Sequence, residues 1–430
     1  MQQNTKPILM VVGGQWGSEA KGAVAAELCI RRKVDYAVRT GAVNAGHTVY
    51  HNGTPYKMQQ LPTGWVNPQT NLVLGPGAFI NRDILNAEVA MVEKAAAMGP
   101  VRLVIDPRAG THESRHTQMS DAAGRHHRIG ATGKGCSEAV MDRIRLRGVD
   151  DHFLYGKGSP YTTLDTEYLL NDTEYLLNQA YDDGHQILLE GTQGQGLDLL
   201  LGPWPYTTHK PCGPAQWLSE SGLSPNLKKE IVMVARTYPI RVAGNSGPMP
   251  SETSWDWLGQ HTGRVSHEAI AEWRAIGDRL ADAWAVDGRL PRWIDTKVAN
   301  WRFDLWSAQM RKTHAVALSE FHAELWKKMK PETQVELSKL FEFTTVTKKL
   351  RRIAAWDTEM MQDMVRQIRP DWVCLTFLNY EFPELWGATE ASQISRKALE
   401  FVRRREYEMG VEIKWVSTGP EGKHLIDLTV

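Results

Sequence analysis

The residues that could carry chemistry are concentrated in a glycine-rich loop near the N-terminus. Residues 13–22 read GGQWGSEAKG, between the apolar run ILMVV and a helix-forming stretch. Backbone N–H groups at a helix start bind anions, and glycine lets phosphate oxygens approach closely. Lys21 adds a positive charge, so the loop predicts a phosphate site. The order Ala-Lys-Gly departs from the Gly-Lys-Ser/Thr of the common phosphate-binding loop, which leaves a plain glycine-rich turn as the alternative.

Three more loops have residues suited to binding anions. The segment RTGAVNAGHTVY places His47 beside a glycine, and histidine can donate a hydrogen bond to a phosphoryl oxygen. The segment IGATGKGC contains Thr132, and EGTQGQG contains Gln193 and leads to Thr208. Each histidine or threonine alone is more often structural. Together with the first loop, several of them at strand ends, they predict a site for more than one phosphate.

A fifth segment combines hydroxyl groups with positive charges. TTVTKKLRR, residues 344–352, contains Thr345, Thr347 and Arg351 within a short stretch. Arginine binds carboxylates through two parallel hydrogen bonds, and hydroxyls add neutral donors, so this loop suits a small carboxylate ligand. A solvated surface loop is the alternative.

The elements that must position these loops follow from short β-branched runs. Such runs begin near residues 8, 36, 71, 101, 186, 230, 372 and 411, and helical patterns lie between many of them. This alternation predicts an α/β fold with a large mixed, mostly parallel central sheet and surrounding helices. Residues 252–340, rich in tryptophan and without glycine after Gly288, predict a helical insertion whose tryptophans pack between helices. The repeat DTEYLLN, at 165 and again at 172, predicts a single helix.

Composition excludes several classes of protein. Lys and Arg together number 50, as do Asp and Glu, so no net charge draws the chain to nucleic acid or to a membrane. The four cysteines are far apart, which argues against a zinc site and against a disulfide framework. The first apolar run is too short for a signal sequence or a membrane span. We therefore expect a cytoplasmic protein, in the host cytoplasm if the source is viral, with no nucleic-acid or membrane partner.

The motifs GGQWGSEAKG, NAGHT, EGTQG, PYTT, the Thr/Arg loop and WVSTGP occur in the order and approximate spacing found in adenylosuccinate synthetases. The chain resembles that family over nearly its whole length, apart from the helical insertion. The resemblance implies a single domain over residues 1–430, a homodimer and Mg²⁺ as cofactor. It also implies a ligase for three small molecules: a nucleoside triphosphate phosphorylates O6 of a 6-oxopurine nucleotide, and the amino group of L-aspartate displaces the phosphate.

The resemblance also implies roles for individual residues. Lys21 would neutralise the triphosphate, His47 would stabilise the transferring phosphoryl group, and Ser18 occupies the third catalytic position. The residues expected to hold the purine nucleotide are Ser18, Asn44, Ala45, Gly130, Ala131, Thr132, Gln193, Thr208 and, from the neighbouring subunit, Arg147. Those expected to hold the triphosphate donor are Gly17, Glu19, Ala20, Lys21, Gly22, Ala23, Gly46, His47, Thr48, Phe377, Asn379, Ser417, Gly419 and Pro420. Those expected to hold L-aspartate are Thr345, Val346, Thr347 and Arg351. The Gly46 carbonyl would bind Mg²⁺, with Ser18 as a poor second ligand.

Two departures from the family pattern change the expected substrates. The family has an aspartate at the position of Ser18, where it takes the purine N1 proton and binds Mg²⁺. It also reads guanine through a lysine and an aspartate at the positions of Phe377 and Asn379. Both departures resemble the bacteriophage branch of the family, which uses dGMP and makes 2-aminoadenine nucleotides. This resemblance implies that the chain uses ATP or dATP and that Ser18 leaves room for, and accepts a hydrogen bond from, the purine 2-amino group. An ordinary synthetase acting on IMP and a nucleotide-binding pseudoenzyme are the alternatives.

Overall fold

The computed structural model describes residues 6–96, 101–147, 169–242, 246–287, 324–338, 340–342 and 350–429. Its central strand, β1 (Ile8–Gly13), is buried on both faces. Ile8, Met10 and Val12 pack into one hydrophobic cluster, and Leu9 and Val11 pack into another on the opposite face. Because successive side chains of a strand point to opposite faces, a continuous apolar run such as ILMVV belongs in a sheet covered on both sides.

The strands of the main sheet are those that the β-branched runs predict. The full set is β1, β2 (Tyr36–Gly41), β3 (His47–His51), β4 (Thr54–Met58), β5 (Asn71–Ile80), β6 (Leu103–Ile105), β7 (Gly110–Thr111), β8 (Leu169–Leu170), β9 (Ile187–Glu190), β10 (Lys229–Arg236), β11 (Ile240–Arg241), β12 (Glu252–Thr253), β13 (Arg352–Ala354), β14 (Trp372–Thr376), β15 (Ile413–Ser417) and β16 (Leu425–Asp427).

These strands form one large sheet and two small ones. The large sheet has the order β16-β15-β14-β10-β1-β9-β2-β5-β6-β8, with β7 paired to the end of β5. Its pairs are parallel except for β15 with β16. The strands β11, β13 and β12 form an antiparallel sheet, and β3 and β4 form a hairpin. The predicted mixed, mostly parallel sheet is therefore confirmed, and loops after parallel strands meet at one edge.

Helices connect and cover the strands. They are α1 (Lys21–Arg31), α2 (Arg82–Ala96), α3 (Ser114–Ala122), α4 (Arg125–Ile129), α5 (Cys136–Arg145), α6 (Thr173–Asp182), α7 (Pro214–Ser221), α8 (Trp255–Thr262), α9 (His267–Val286), α10 (Pro331–Ser338), α11 (Thr358–Ile368), α12 (Leu378–Glu381) and α13 (Arg396–Met409). Within the described ranges, no helix is both long enough and apolar enough to cross a bilayer.

The part of residues 252–340 that the structure describes is mainly helical, as the sequence predicts. It contains α8, α9 and α10, with the short strand β12 at its start. Trp255, Trp273 and Trp284 are buried in a hydrophobic cluster that packs this segment, which agrees with a packing role for tryptophan. Trp257 is partly exposed. The predicted packing tryptophans at 293, 301 and 306 lie outside the described residues.

The prediction of one helix through the DTEYLLN repeat is wrong. The end of the first copy, Leu169–Leu170, is strand β8, which pairs with β6. The second copy begins a helix because the Asp172 side chain caps it by accepting a hydrogen bond from the Tyr175 backbone N–H. The two leucines of the repeat thus lie in a strand in the first copy and in a helix in the second.

Candidate active site

The first loop, residues 14–20, joins β1 to α1 at the carboxyl edge of the sheet. It is tightly wound: Gly17, Ser18 and Ala20 have φ angles of 84°, 62° and 69°. The Glu19 side chain is fully buried inside it. Its Oε1 accepts hydrogen bonds from the backbone N–H groups of Gly17 at 2.7 Å and Gln15 at 3.2 Å. Its Oε2 lies 2.5 Å from Lys21 Nζ, so the loop and its lysine enclose an internal anion.

His47 is the first residue of β3 and is fixed by a buried carboxylate at the end of β9. Its Nδ1 lies 2.5 Å from Glu190 Oε1. Glu190 Oε2 accepts hydrogen bonds from the Thr63 backbone N–H at 2.7 Å and hydroxyl at 2.9 Å. Arg39 approaches the same carboxylate at 3.4 Å and also donates to the Ala45 carbonyl at 2.8 Å. Burial, aided by Arg39, lowers the pKa of His47 to about 4, so the free imidazole is neutral near pH 7.

One glycine brings the first loop and His47 together. A Cβ on Gly22 would lie 2.6 Å from the Cβ of His47, which is closer than side chains can pack. Because Gly22 is the second residue of α1, its missing side chain lets the start of this helix contact the imidazole. Lys21 and His47 therefore face the same space.

A cavity of about 860 Å³ lies in front of these two residues. It is lined by nearly all of the residues expected to hold the triphosphate donor. These are Glu19, Ala20, Lys21, Gly22, Ala23, Gly46, His47, Thr48, Phe377, Asn379, Ser417, Gly419 and Pro420, while Gly17 lies just outside the lining. Ser18 and Arg351 line the same cavity. Sequence positions about 400 residues apart thus meet at one site.

An aromatic ring and an amide line the end of the cavity formed by β14 and β15. Phe377 has a φ of 60° and donates its backbone N–H to Ser417 Oγ at 2.8 Å. The guanidinium of Arg236 lies 3.7 Å from the centre of the Phe377 ring. Asn379 is 2% exposed. The two positions expected to select the donor base are therefore an aromatic ring with Arg236 against one face and a nearly buried amide.

Ser18 lies in the first loop and contacts two arginines, Arg351 and Arg236. Its side chain is exposed, and its Oγ accepts a hydrogen bond from Arg351 Nη1 at 2.7 Å. Its carbonyl accepts one from Arg236 Nη1 at 3.2 Å. Arg236 in turn pairs with Glu342. Burial opposes ionisation of Glu342, but Arg236 more than offsets it and holds the pKa of that carboxyl at about 2.

Apart from Ser18, the residues expected to hold the purine nucleotide lie outside the cavity lining. The carbonyl of Gln193 lies 2.6 Å from where a Cβ on Gly13 would be, so these two backbones touch. Thr208 donates its backbone N–H to the Leu197 carbonyl at 2.8 Å, which ties it to the Gln193 loop.

The other purine-binding candidates lie around α5. The residues just before Asn44 and Ala45 pack with the start of α5 in a small hydrophobic cluster, on the side where the loop of Gly130, Ala131 and Thr132 enters that helix. Arg147 is exposed beyond the end of α5 and donates to the Ile144 carbonyl at 3.1 Å. Of the residues expected to hold L-aspartate, Arg351 is described, while Thr345, Val346 and Thr347 lie outside the described residues.

Several residues of the site were not identified from the sequence. They are Glu190, Arg236, Arg264, Glu342 and Tyr380, of which all but Glu190 line the cavity. Glu190 and Arg236 have a recognisable signal, a charged residue that closes an apolar strand. No such sequence signal identifies Arg264, Glu342 or Tyr380, because they come from three separate segments of the chain.

Comparisons with known proteins agree in one family. The family model for adenylosuccinate synthetase matches residues 10–168 and 159–382. The chain is 28% identical over 424 residues to the adenylosuccinate synthetase of Thermococcus sibiricus and 28% identical over 423 residues to that of Pyrococcus horikoshii, with 98% of each chain covered in both cases.

Two solved structures have a similar fold. One is the succinoaminodeoxyadenylate synthetase of cyanophage S-2L, bound to dGMP and to dATP as an energy donor; the TM-score is 0.69 at 22% identity, covering 99% of this chain and 96% of that one. The other is fully ligated adenylosuccinate synthetase from Plasmodium falciparum, with a TM-score of 0.64 at 17% identity, covering 98% of this chain and 100% of that one.

Proposed function

The chain belongs to the adenylosuccinate synthetase family of C–N ligases, which join aspartate to a purine nucleotide, and we propose that its nucleotide is dGMP. The donor would be ATP or dATP and the product 2-amino-2'-deoxyadenylosuccinate. The γ-phosphoryl group passes to O6 of the purine. The amino nitrogen of L-aspartate then bonds to C6, and the C6–O6 bond breaks to release inorganic phosphate.

The observation that carries this proposal is the environment of Ser18. Its hydroxyl oxygen accepts one hydrogen bond, from Arg351, and lies at the cavity beside the phosphate loop. A hydroxyl oxygen can accept two hydrogen bonds, so one lone pair remains for a purine 2-amino N–H. IMP has no such group, whereas dGMP does. The short neutral side chain also leaves more room than the aspartate expected from the family.

An ordinary synthetase would need another carboxylate as base in place of the aspartate missing at position 18. Glu19 is the neighbouring carboxylate, and its contacts argue against that role. Glu19 is fully buried, and its two oxygens already bind Lys21 and the backbone N–H groups of Gly17 and Gln15. To act at the position of Ser18, Glu19 would have to leave three hydrogen bonds and strip Lys21 of its partner. Such a loss inside a buried network costs several kcal/mol, at about 1 to 3 kcal/mol for each unsatisfied group.

The preference for ATP or dATP rests on Phe377 and Asn379. A carboxylate that accepts from guanine N1 and N2 hydrogens is replaced here by an amide, and a lysine is replaced by an aromatic ring. An amide and a ring face suit adenine, whose exocyclic group is a donor and whose base stacks on aromatic surfaces. The cyanophage S-2L enzyme is bound to dATP as an energy donor, which supports the same choice here.

His47 and Lys21 would stabilise the phosphoryl transfer. Glu190 accepts from Thr63 and Arg39 and is therefore ionised, so His47 Nδ1 is the donor in the His47–Glu190 pair. Nε2 remains for the phosphoryl group. The negative charge of the triphosphate raises the pKa of the imidazole, and the protonated Nε2–H then donates to the transferring group. Fixed donors of this kind contribute most of the catalysis in phosphoryl transfer.

Of the two residues expected to bind Mg²⁺, only one is suited to it. Gly46 lines the cavity, and a backbone carbonyl is the oxygen type that Mg²⁺ accepts. Ser18 does not fit, because its oxygen receives a hydrogen bond from the Arg351 cation, which disfavours a second cation on the same atom. Among the described residues, no cluster of three histidine, cysteine or acidic side chains is arranged to hold a metal. The ion would therefore be held mainly by the donor phosphates, whose charge it neutralises when bound.

A homodimer is part of the proposal. Arg147 is exposed and lies outside the cavity lining, which is compatible with the role that the family resemblance implies, contact with the nucleotide phosphate of the neighbouring subunit. The remaining purine contacts would come from the loops at Asn44, Thr132, Gln193 and Thr208.

Ordinary adenylosuccinate synthesis from IMP is the second candidate. It is favoured by the archaeal relatives at 28% identity, which are named adenylosuccinate synthetases. A pseudoenzyme that only binds nucleotides is disfavoured, since His47, Lys21 and Arg351 face one cavity.

The test is phosphate release from a panel of substrates with L-aspartate and Mg²⁺. We expect turnover with dGMP and either ATP or dATP, and at least about tenfold lower kcat/KM with IMP. Higher kcat/KM with IMP would favour the ordinary synthetase. No phosphate release with any purine nucleotide, from a protein that still binds ATP, would favour the pseudoenzyme.

A further inference from the structure

The turn between α8 and α9 brings another guanidinium into the cavity. Arg264 lies in this turn, within the helical segment to which the sequence assigned only packing. It lines the same cavity as Arg351 and Arg236. Its neighbours there are Tyr380 and Glu342.

Arg264 is held in place by an aromatic ring. The Arg264 guanidinium lies 3.9 Å from the centre of the Tyr380 ring, which is a cation–π contact. The Tyr380 hydroxyl donates to Glu342 Oε1 at 2.6 Å, so the ring is itself fixed. The guanidinium is therefore positioned before any ligand arrives, which lowers the entropy lost on binding.

One nitrogen of Arg264 is buried without a hydrogen bond. Within the described part of the chain, Arg264 Nη1 is out of contact with solvent and has no acceptor. A buried charged donor without an acceptor costs about 1 to 3 kcal/mol or more, so such groups are rare unless a ligand satisfies them. Among the described residues, no carboxylate forms an ion pair with Arg264, so its guanidinium, which lines the cavity, remains available to an anionic ligand there.

The charged side chains in this part of the cavity have a net positive charge that an anionic ligand could balance. The Arg236–Glu342 pair is balanced within itself. Among the described residues, Arg351 donates to the neutral Ser18 hydroxyl, and its charge also helps to lower the pKa of the nearby Glu342 carboxyl. Glu342 is thus shared by three guanidinium groups, those of Arg236, Arg264 and Arg351, and three positive charges with one negative charge leave this group of four at a net +2. A dicarboxylate supplies two negative charges, and the family substrate L-aspartate is a dicarboxylate.

We infer that Arg264 is a substrate-binding residue that holds one carboxylate of L-aspartate, while Arg351 holds the other. This inference rests on the aspartate-ligating activity of the proposed function but not on the identity of the purine. It gives the helical segment a role in substrate selection. Guanidinium groups bind carboxylates through two parallel N–H donors, which a lysine in the same position cannot reproduce.

The test compares Arg264→Met and Arg264→Lys with a matched control, Arg279→Met. Arg279 is exposed on α9 and lies outside this cavity. We expect Arg264→Met to raise the KM for L-aspartate by at least about tenfold, with the KM values for purine nucleotide and donor changed less than about threefold. Arg264→Lys should recover part of the loss, because it restores charge without the forked geometry. Arg279→Met should match the wild type.

Two further measurements separate this inference from a structural role and from the proposed function. Succinate binding by calorimetry needs no turnover, and Arg264→Met should weaken it by about the same factor as the KM for L-aspartate. The kinetic test uses whichever of dGMP or IMP supports turnover, so failure of the dGMP assignment leaves it intact. If Arg264→Met does not fold, Arg264→Lys and Arg264→Gln replace it. An unchanged KM for L-aspartate, an equal rise in all three KM values, or a rise confined to the donor would overturn the inference.

Discussion

Replacing Ser18 with aspartate tests whether this side chain recognises the purine 2-amino group. We expect Ser18→Asp to lower the ratio of kcat/KM for dGMP to that for IMP by about tenfold. The longer side chain takes the space next to the purine 2-amino group and displaces the ring, whereas a purine without this group is little affected. Because the measured quantity is a ratio, losses common to both nucleotides cancel.

The magnitude follows from the contacts of Ser18. Its φ of 62° lies in the left-handed region, where aspartate is among the residues best tolerated, so the backbone need not move. One strained or lost hydrogen bond to the 2-amino group is worth about 1 to 2 kcal/mol, and about 1.4 kcal/mol corresponds to a tenfold change in rate.

The contact with Arg351 adds a second effect. Arg351 Nη1 lies 2.7 Å from Ser18 Oγ and would pair with the new carboxylate. This exposed pair is worth at most about 1 kcal/mol, and it competes with L-aspartate for Arg351. The KM for L-aspartate should therefore rise with either purine nucleotide, without changing the ratio.

The assay is phosphate release under kcat/KM conditions for the purine nucleotide, at saturating ATP and L-aspartate. Including dIMP separates the effect of the 2-amino group from that of the sugar. Ser18→Asn is the matched control, since it has the shape of aspartate without the charge. An unchanged or increased ratio in Ser18→Asp would mean that Ser18 does not read the purine 2-position, and the reasoning from its hydroxyl would fail.

Three further predictions concern the donor and His47. ATP or dATP should give at least about tenfold higher kcat/KM than GTP, because Phe377 and Asn379 lack the charges that read guanine; equal or better use of GTP would contradict this. His47→Ala should lower kcat by about a hundredfold or more with little change in nucleotide affinity, and a near wild-type kcat would make His47 structural. His47 has a folded pKa of about 4, below its ordinary value of 6.5, so the unfolded chain binds the extra proton between these values. The free energy of unfolding should therefore fall by about 3 kcal/mol as the pH drops from 6.5 to 4, and His47→Asn should remove this part of the decrease in urea titrations.

The sheet and its loops could be predicted because their signals are local. Each β-branched run is a strand, and parallel strands place their carboxyl ends at one edge whatever the connecting residues are. Lys21, His47 and Phe377 therefore meet as expected. The first DTEYLLN copy was mispredicted because Leu169–Leu170 joins β6 through pairing that no seven-residue window contains.

The arginine cluster could not be predicted for a related reason. Arg236 closes a strand, Arg264 lies in a turn between helices, and Arg351 precedes β13. Their meeting depends on how the helical segment packs on the sheet, and no periodicity encodes it. The burial of Glu19 is a similar case, since the sequence of the loop does not indicate that its carboxylate turns inward onto the loop's own N–H groups.

Because Glu19 faces inward, a triphosphate donor bound as proposed would have to exchange with an internal carboxylate for Lys21. An empty loop of free N–H groups and an unpaired Lys21 would attract any small anion in the cell. Here the Glu19 carboxylate already binds Lys21 and the backbone N–H groups of Gly17 and Gln15. Chloride or inorganic phosphate would have to compete with that carboxylate for Lys21. A triphosphate would have to do the same, but it could also gain contacts elsewhere along the cavity. Under the proposed function, Glu19 thereby favours the triphosphate over the inorganic phosphate that the reaction releases.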